Sequence, residues 1–256
     1  MKVNLHTHTW RCNHASGSEK QYVENALKAG MEVLGFADHT PYPFPQGYYS
    51  HFRMKPEQLP DYVETILTLR QEYAGRIEIP LGLETEFYPK HFPQLLELLR
   101  EYPMDYLILG QHFVGNEYDA PYNGLASQDE SLLRQYVFQS CDAMNTGLFT
   151  YFAHPDLLHF TGREQEFRRQ MRTICLEAKS CGVPLEFNLL GLNGGRHYPT
   201  LAFWEMAAEE GCAAVLGRDA HSPEALLDVK TEQKALEILG SLGITPVEGI
   251  ALRSIH

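Results

Sequence analysis

Short apolar runs alternate with longer amphipathic segments about seven times along the 256 residues of this chain. The apolar runs have the length of buried strands, and the segments between them space their apolar residues as helices do. Strands that alternate with helices form a parallel sheet with the helices outside it. Apolar runs without polar alternation suit a sheet that is buried on both faces. The pattern therefore predicts an α/β fold in which one domain, residues 1–256, forms a closed or nearly closed barrel.

The element boundaries follow from capping and breaking residues. Capping boxes at Ser18 and Ser127 predict the starts of two helices, and Gly30 is placed to end the first of them. The predicted strands cover residues 2–5, 33–37, 77–83, 106–110, 151–153, 183–187 and 213–217. The predicted helices cover residues 18–29, 56–73, 92–102, 127–146, 163–180, 200–210 and 231–241.

Histidines and acids recur at one kind of position, directly after a predicted strand. In barrels of parallel strands the active site lies at the carboxyl-terminal face, so these side chains are expected to meet there. His14, in the loop after the first strand, adds a further candidate on the same face. The candidate metal ligands are His6, His8, His14, His39, Glu84, His112, His154, Asp219 and His221.

The types of donor atom indicate which ions this site would take. Asp219 and His221 are two residues apart, so on extended chain their side chains point the same way. Mixed imidazole and carboxylate ligands favour Zn, Fe or Mn over Ca or Mg. Asn188, after the sixth strand, has three interpretations: it binds substrate, it holds the local backbone, or it supports a neighbouring ligand.

Composition excludes several classes of function. The formal net charge is −12 and no basic stripe occurs, which argues against long nucleic acids and anionic membranes as partners. No apolar run approaches the roughly 20 residues that span a bilayer. The five cysteines are odd in number and scattered, which is typical of reduced thiols in a cytoplasmic protein. Cys12 lies near the candidate site and is interpreted as a bystander rather than a metal ligand.

Six separate motifs resemble those of the PHP (polymerase and histidinol phosphatase) family, in the family's order and over essentially the whole chain. Within that family, His6 to Thr9, residues 13–17 and residues 219–223 are similar to the monofunctional histidinol-phosphate phosphatases. The six motifs are His6-Thr7-His8, Ala37-Asp38-His39, Gly82-Leu83-Glu84, Gln111-His112, Ala153-His154-Pro155 and Asp219-Ala220-His221.

The resemblance implies a distorted (β/α)7 barrel that holds a trinuclear cluster of divalent metals (Zn, Fe or Mn). By this resemblance, Glu84 bridges two ions, and Glu84, Asp219 and His221 are the expected catalytic residues. The first ion is held by His6, His8, Glu84 and Asp219, the second by Glu84, His112 and His154, and the third by His14, His39 and His221.

The activity that the resemblance implies is hydrolysis of L-histidinol phosphate, a step of histidine biosynthesis, by attack of a metal-bridging hydroxide. Two alternatives remain at this point: a phosphoesterase for another small ester such as a nucleotide, and a metal-binding module without turnover. The candidate substrate-binding residues are Arg163, Arg196, His197 and Asn188. The two arginines are candidates because guanidinium groups match phosphate oxygens. The aromatic loop of residues 40–54 is either a wall for the substrate or a small core of its own.

Overall fold

The computed structural model describes residues 1–256, in which eight short parallel strands form two sheets. One sheet pairs β1 with β2, and the other contains β3 to β8 in sequence order. The strands are β1 (Val3–Asn4), β2 (Val33–Leu34), β3 (Phe36–His39), β4 (Leu81–Thr85), β5 (Tyr106–Leu109), β6 (Phe149–Phe152), β7 (Leu185–Asn188) and β8 (Ala214–Gly217).

Strands β2 and β3 occupy one position in a barrel, because only Gly35 separates them. A Cβ at Gly35 would collide with the hydroxyl of Tyr106, which donates hydrogen bonds to Leu5 O (2.8 Å) and Phe36 O (3.1 Å). The barrel closes through the parallel bridge of Thr7 with Ala220. The prediction of a distorted (β/α)7 barrel is therefore confirmed, and the distortion lies at Gly35 and at this single bridge.

Helices surround the barrel and cover the outer faces of its strands. Helix α4 packs on α5, and α5 packs on α7. No helix is both long and apolar enough to cross a membrane. The helices are α1 (Glu19–Lys28), α2 (Leu59–Glu72), α3 (Phe92–Leu99), α4 (Glu130–Asn145), α5 (Glu164–Cys181), α6 (Leu189–Asn193), α7 (Leu201–Glu210) and α8 (Val229–Ser241).

Several predicted boundaries differ from the observed ones, and two of the differences have identifiable reasons. The predicted capping box at Ser127 does not form, because the backbone of Ser127 pairs with Phe160 and Asp129 caps α4 instead. The third strand begins at Leu81 rather than at residue 77, directly after Pro80, which has no N–H to donate to a ladder. The capping box at Ser18, by contrast, is present with Gln21 as predicted.

Strand residues alternate between the two sides of the sheet, and this alternation positions the site. Leu107 and Leu109 pack under the helices, whereas Tyr106 and Ile108 fill the barrel interior in a small apolar cluster. By the same alternation, the side chain of Glu84 in β4 turns inward, beyond the carboxyl end of that apolar filling.

Candidate metal centre

Glu84 lies at the centre of the carboxyl-terminal end of the barrel, 1% exposed. Its Oε2 is 3.6 Å from Nε2 of His6 and 3.6 Å from Nε2 of His8. Asp219, after β8, approaches the same two rings, with its Oδ1 3.5 Å from His6 Nε2 and 3.1 Å from His8 Nε2. These four side chains surround one point with two imidazoles and two carboxylates.

The other oxygen of Glu84 faces a second group of side chains. Oε1 is 2.8 Å from Nε2 of His154 and 3.5 Å from Nε2 of His112. Because its two oxygens face different histidines, Glu84 has the geometry of a bridging ligand. We call the six residues around these two points the inner cluster: His6, His8, Glu84, His112, His154 and Asp219.

Three further histidines converge beside the inner cluster, and we call them the outer cluster: His14, His39 and His221. Their ring nitrogens lie within 4.8 Å of one another, and the Nε2 atoms of His14 and His221 are 3.0 Å apart. His39 joins the two clusters, because its Nδ1 is 3.0 Å from Glu84 Oε2. The structure thus brings together all nine of the predicted ligands.

Buried atoms without partners support the interpretation of a metal site. His6 Nε2, His8 Nε2 and Glu84 Oε2 are all buried and make no hydrogen bond. An unpaired polar atom in a protein interior costs about 1–3 kcal/mol, so three of them at one point are expensive unless a ligand satisfies them. A divalent cation fits this set of donors.

Carboxylates behind the rings orient two of the inner histidines. Nδ1 of His6 lies 2.7 Å from Glu186 Oε1, and Nδ1 of His112 lies 2.7 Å from Glu86 Oε1. A carboxylate at Nδ1 fixes the tautomer and leaves Nε2 free to bind a metal.

Sequence reasoning missed both acids, and it also missed Asp38, whose Oδ1 is 3.4 Å from His8 Nδ1. A signal for Glu86 was present, because it lies two residues after Glu84 and so shares its face of the strand. Glu186 carries the same signal, two residues before Asn188.

The outer histidines are oriented by backbone carbonyls instead. Nδ1 of His14 lies 2.7 Å from Cys12 O, and Nδ1 of His221 lies 3.0 Å from Asp219 O. Cys12 itself is buried, and this burial raises the pKa of its thiol, which keeps the thiol protonated and a poor metal ligand.

The pKa values of the inner cluster reflect its carboxylates. Burial lowers the pKa of His8, but hydrogen bonds to Asp219 and Asp38 outweigh burial and raise that pKa to about 9. Burial likewise opposes the charge of Glu84, yet the surrounding imidazoles hold its pKa well below the usual range. In the absence of metal, protons on the histidines therefore balance the buried carboxylates.

The pKa values of the outer cluster shift in the opposite direction. Burial and the charge of His8 lower the pKa of His221 to about 3. Burial also lowers the pKa of His14, and it lowers the pKa of His39 to well below the ordinary value. These three rings are neutral at neutral pH, which is the form that binds a metal ion.

Two of the predicted ligands occupy a strained backbone conformation. His154 has φ of 33° and Asp219 has φ of 48°, a region that side-chain-bearing residues rarely adopt. Such conformations persist where surrounding structure enforces them, and they concentrate at functional sites. Here each of them directs a side chain toward the inner cluster just after its strand has ended.

A cavity of about 490 Å³ opens onto the site, within the range that holds small ligands. Seven of the nine predicted ligands line it, while His6 and His8 lie beneath. Arg196 is its only arginine, and no lysine lines it. The other lining residues are Phe52, Phe113, Tyr122, Leu190 and Tyr198.

The predicted substrate-binding residues separate into two groups. Arg196 lines the cavity, and its Nη1 donates a hydrogen bond to the hydroxyl of Tyr198 at 2.6 Å. Arg163 does not reach the cavity: its side chain is 75% exposed and pairs with Glu130 at the start of α4. The assignment of Arg163 to phosphate binding is therefore not supported, since its guanidinium is held on the outside of the barrel.

His197 and Asn188 also make other contacts than those predicted. Nε2 of His197 faces Leu157 O at 2.6 Å. Neither the side chain of His197 nor that of Asn188 lines the cavity. Asn188 is fully buried and donates hydrogen bonds to Asp219 Oδ2 (3.1 Å) and Glu186 Oε2 (2.9 Å). Its Oδ1 also accepts a hydrogen bond from Gly191 N at 2.8 Å, so the structure favours support of a neighbouring ligand and of the local backbone.

Both interpretations of the aromatic loop of residues 40–54 apply to parts of it. Tyr42 and Phe44 are buried in the main hydrophobic core and stack on each other at 5.1 Å. Phe52 instead faces the cavity. The loop is thus a satellite of the core that presents one ring to the site.

Comparisons with known proteins agree with these features. The PHP domain family matches residues 4–189. The chain is 35% identical over 226 residues to a probable histidinol-phosphatase of Deinococcus radiodurans, and the alignment covers 85% of each protein. It is 28% identical over 253 residues to a histidinol-phosphatase of Bacillus subtilis, covering 86% of this chain and 93% of that one.

Among solved structures, the fold is similar to a histidinol phosphate phosphatase from Lactococcus lactis that was crystallised with zinc, L-histidinol and phosphate. The TM-score is 0.76 at 20% sequence identity, over 99% of this chain and 98% of the other. The likeness extends over the entire barrel.

Proposed function

The chain belongs to the PHP domain family, and we infer that it is a metal-dependent phosphomonoesterase that hydrolyses L-histidinol phosphate to L-histidinol and phosphate. The observation that carries this inference is the convergence of Glu84 and the eight other predicted metal ligands beneath an open cavity. The names of the Deinococcus and Bacillus relatives support the choice of substrate.

We assign the nine side chains to three divalent ions, with Glu84 shared between the first and the second. Imidazole ligands in place of oxygen ligands favour Zn, Fe or Mn. The zinc in the Lactococcus structure supports zinc as the ion that this site binds. The first ion takes His6, His8, Glu84 and Asp219, the second takes Glu84, His112 and His154, and the third takes His14, His39 and His221.

When bound, such ions lower the pKa of coordinated water to around 7 and stabilise negative charge on a phosphoryl group. The chain's own residues prepare for this chemistry. Glu84 and Asp219 are the only acids that line the cavity, so three divalent ions would leave the site positively charged. A site of this kind attracts a phosphate dianion, although the protein as a whole is acidic.

The roles of the remaining residues follow from their contacts. Asn188 fixes one oxygen of Asp219 and leaves the other facing His8. His221, neutral at neutral pH, serves as a ligand at the mouth of the site rather than as an acid. Arg196 is placed to bind a phosphate oxygen, because a guanidinium offers parallel donors and stays charged at any working pH.

The chain is proposed to act as one domain, residues 1–256, on a small phosphorylated substrate. Its five cysteines are all free, which favours the cytoplasm as its location.

The test is a substrate panel on protein reconstituted separately with Zn, Mn and Fe. Phosphate release is measured from L-histidinol phosphate, AMP and 4-nitrophenyl phosphate, with Glu84→Gln purified in parallel to exclude a contaminating phosphatase. We expect the highest kcat/KM with histidinol phosphate. Preference for AMP would identify the chain as a phosphatase for another small ester, and no release from any ester would make it a metal-binding module.

A further inference from the structure

Three aromatic rings form a continuous wall on one side of the cavity. Phe52 and Phe113 stack with centroids 5.7 Å apart at an interplanar angle of 23°. Phe113 continues the wall to Tyr122, 5.8 Å away. We call Phe52, Phe113 and Tyr122 the aromatic wall, and none of its three side chains is fully buried.

The aromatic wall begins beside the metal ligands. The ring of Phe52 lies edge-on to His39 at 5.2 Å and is 5.9 Å from the ring of His112. These two histidines belong to the outer and the inner cluster respectively. A phosphate bound over the clusters would therefore have its organic part close to this wall.

Few charged side chains line the cavity. Arg196, which donates a hydrogen bond to Tyr198, is the only arginine or lysine among them. No carboxylate other than Glu84 and Asp219 faces the cavity, so a positively charged substrate has no free acid to pair with. The aromatic side chains are the remaining groups that can contact the organic part of a substrate, and they pair favourably with flat rings.

A rigid support holds Phe52 in place. The next residue, Arg53, is 1% exposed and is bound on several sides, by Glu117, by Glu86 Oε1 at 3.1 Å and by Thr40 O at 2.5 Å. On the other side of the loop, Asn13 donates a hydrogen bond to Tyr49 Oη at 2.8 Å. A ring fixed in this way loses little conformational freedom when a ligand binds against it.

We propose that the aromatic wall, with Phe52 at its inner end, is the specificity-determining surface of this site, and that it selects phosphate monoesters whose organic part is a flat ring. The inference rests on the proposed phosphatase activity and adds to it the surface that distinguishes substrates. Aliphatic esters would reach the metals and Arg196 but would gain nothing from the wall.

The experiment measures a selectivity ratio, kcat/KM for L-histidinol phosphate divided by kcat/KM for glycerol phosphate, on metal-loaded protein. Phe52→Leu should lower this ratio roughly two- to tenfold, the range expected for a lost aromatic pair, mainly through KM. Phe52→Tyr, which keeps the ring, should retain it. Phe44→Leu alters the same loop outside the cavity and is the matched control, with an unchanged ratio.

A second variant protects the test against damage to the metal site. Tyr122→Leu removes a ring at the exposed end of the wall, where the residue is 38% exposed, and should also lower the ratio. An unchanged ratio in Tyr122→Leu and in metal-replete Phe52→Leu would overturn the proposal. If Phe52→Leu loses metal, Tyr122→Leu alone decides.

The same variants separate this proposal from the proposed function. If the wild-type protein hydrolyses other esters but not histidinol phosphate, the ratio is taken between 4-nitrophenyl phosphate and glycerol phosphate. A fall of that ratio in Tyr122→Leu would support the wall although the named substrate was wrong, and no fall would refute it.

Discussion

The inner and outer clusters are made of similar rings but differ in what surrounds them. The inner cluster contains Glu84 and Asp219, and further carboxylates lie behind its rings. The outer cluster contains three imidazoles, and backbone carbonyls orient His14 and His221. The pKa of His8 is raised to about 9, whereas the pKa of His221 is lowered to about 3.

Histidines in one site can therefore differ in their protonation state before metal binds. Metal binding in the inner cluster must displace protons, and the carboxylates there attract the incoming ions strongly. In the outer cluster no protons are displaced, and all three ligands are neutral imidazoles, with Glu84 reaching this cluster only through its contact with His39. We therefore expect the outer cluster to hold its ion more weakly.

The largest effect is expected from Glu84→Gln, which removes the charge that the inner cluster shares. More than one ion per chain should be lost, and kcat/KM should fall on the order of 10³-fold or more. Elemental analysis and phosphate-release kinetics check both expectations. Glu97→Gln, an exposed glutamate on α3, is the matched control, and full metal occupancy with unaltered turnover in Glu84→Gln would refute the bridging role.

Arg196→Ala is expected to have the next largest effect, and it tests whether the cavity contributes to substrate binding apart from the metals. Losing a charge-assisted contact to the phosphoryl group should cost about 2–4 kcal/mol, or roughly 30- to 1000-fold in kcat/KM. Metal content should not change. Arg163→Ala is the control, since that side chain pairs with Glu130 outside the cavity, and it should change kcat/KM less than about threefold. Equal effects of the two variants would contradict the placement.

His14→Ala separates the two clusters directly. Metal analysis should show one ion lost per chain with the other two retained, because His14 contacts no residue of the Glu84 bridge. The fall in kcat/KM should be between about 10- and 100-fold, as when a metal site loses part of its support. Loss of two ions would mean that the clusters form a single cooperative unit.

The smallest effect concerns the stability of the metal-free protein. The folded pKa of His8 is raised from 6.5 to about 9, so its stabilisation is complete below pH 6.5 and is lost as the pH rises through 9. From pH 7 to pH 9.5 the free energy of unfolding of chelated protein should fall by about 2 kcal/mol. Zinc-loaded protein should not show this fall, because the metal keeps the ring neutral. Urea unfolding at pH 7 and pH 9.5 measures this free energy. An equal fall in chelated and zinc-loaded protein would contradict the exchange of a proton for a metal ion at His8.

Strand phase alone was enough to identify the residues that meet at the site. His6, Glu84, His154 and Asp219 are far apart in sequence, but parallel strands place their carboxyl ends together. Strand phase could not assign these residues to separate ions, because that depends on side-chain directions. Only the resemblance to a known family supplied the grouping.

Features that depend on local pairing could not be predicted from the sequence. Arg163 and Arg196 both follow glycine in a loop after a strand, yet Glu130 on α4 holds the first outside the cavity. Spacing along the strand indicates that Glu186 shares a face with Asn188, but it does not indicate that Glu186 contacts His6. The direction of a loop arginine and the partner of a buried acid depend on tertiary packing. Spacing along the chain does not reveal either of them.

The most direct test of the two-cluster account is a crystal structure of the zinc-loaded protein with phosphate, with ions located by anomalous diffraction at the zinc edge. The account predicts three peaks: one among His6, His8, Glu84 and Asp219, one among Glu84, His112 and His154, and a third, of lower occupancy after brief chelation, among His14, His39 and His221. A structure in which Glu84 contacts a single ion, or in which the outer histidines bind none, would contradict it.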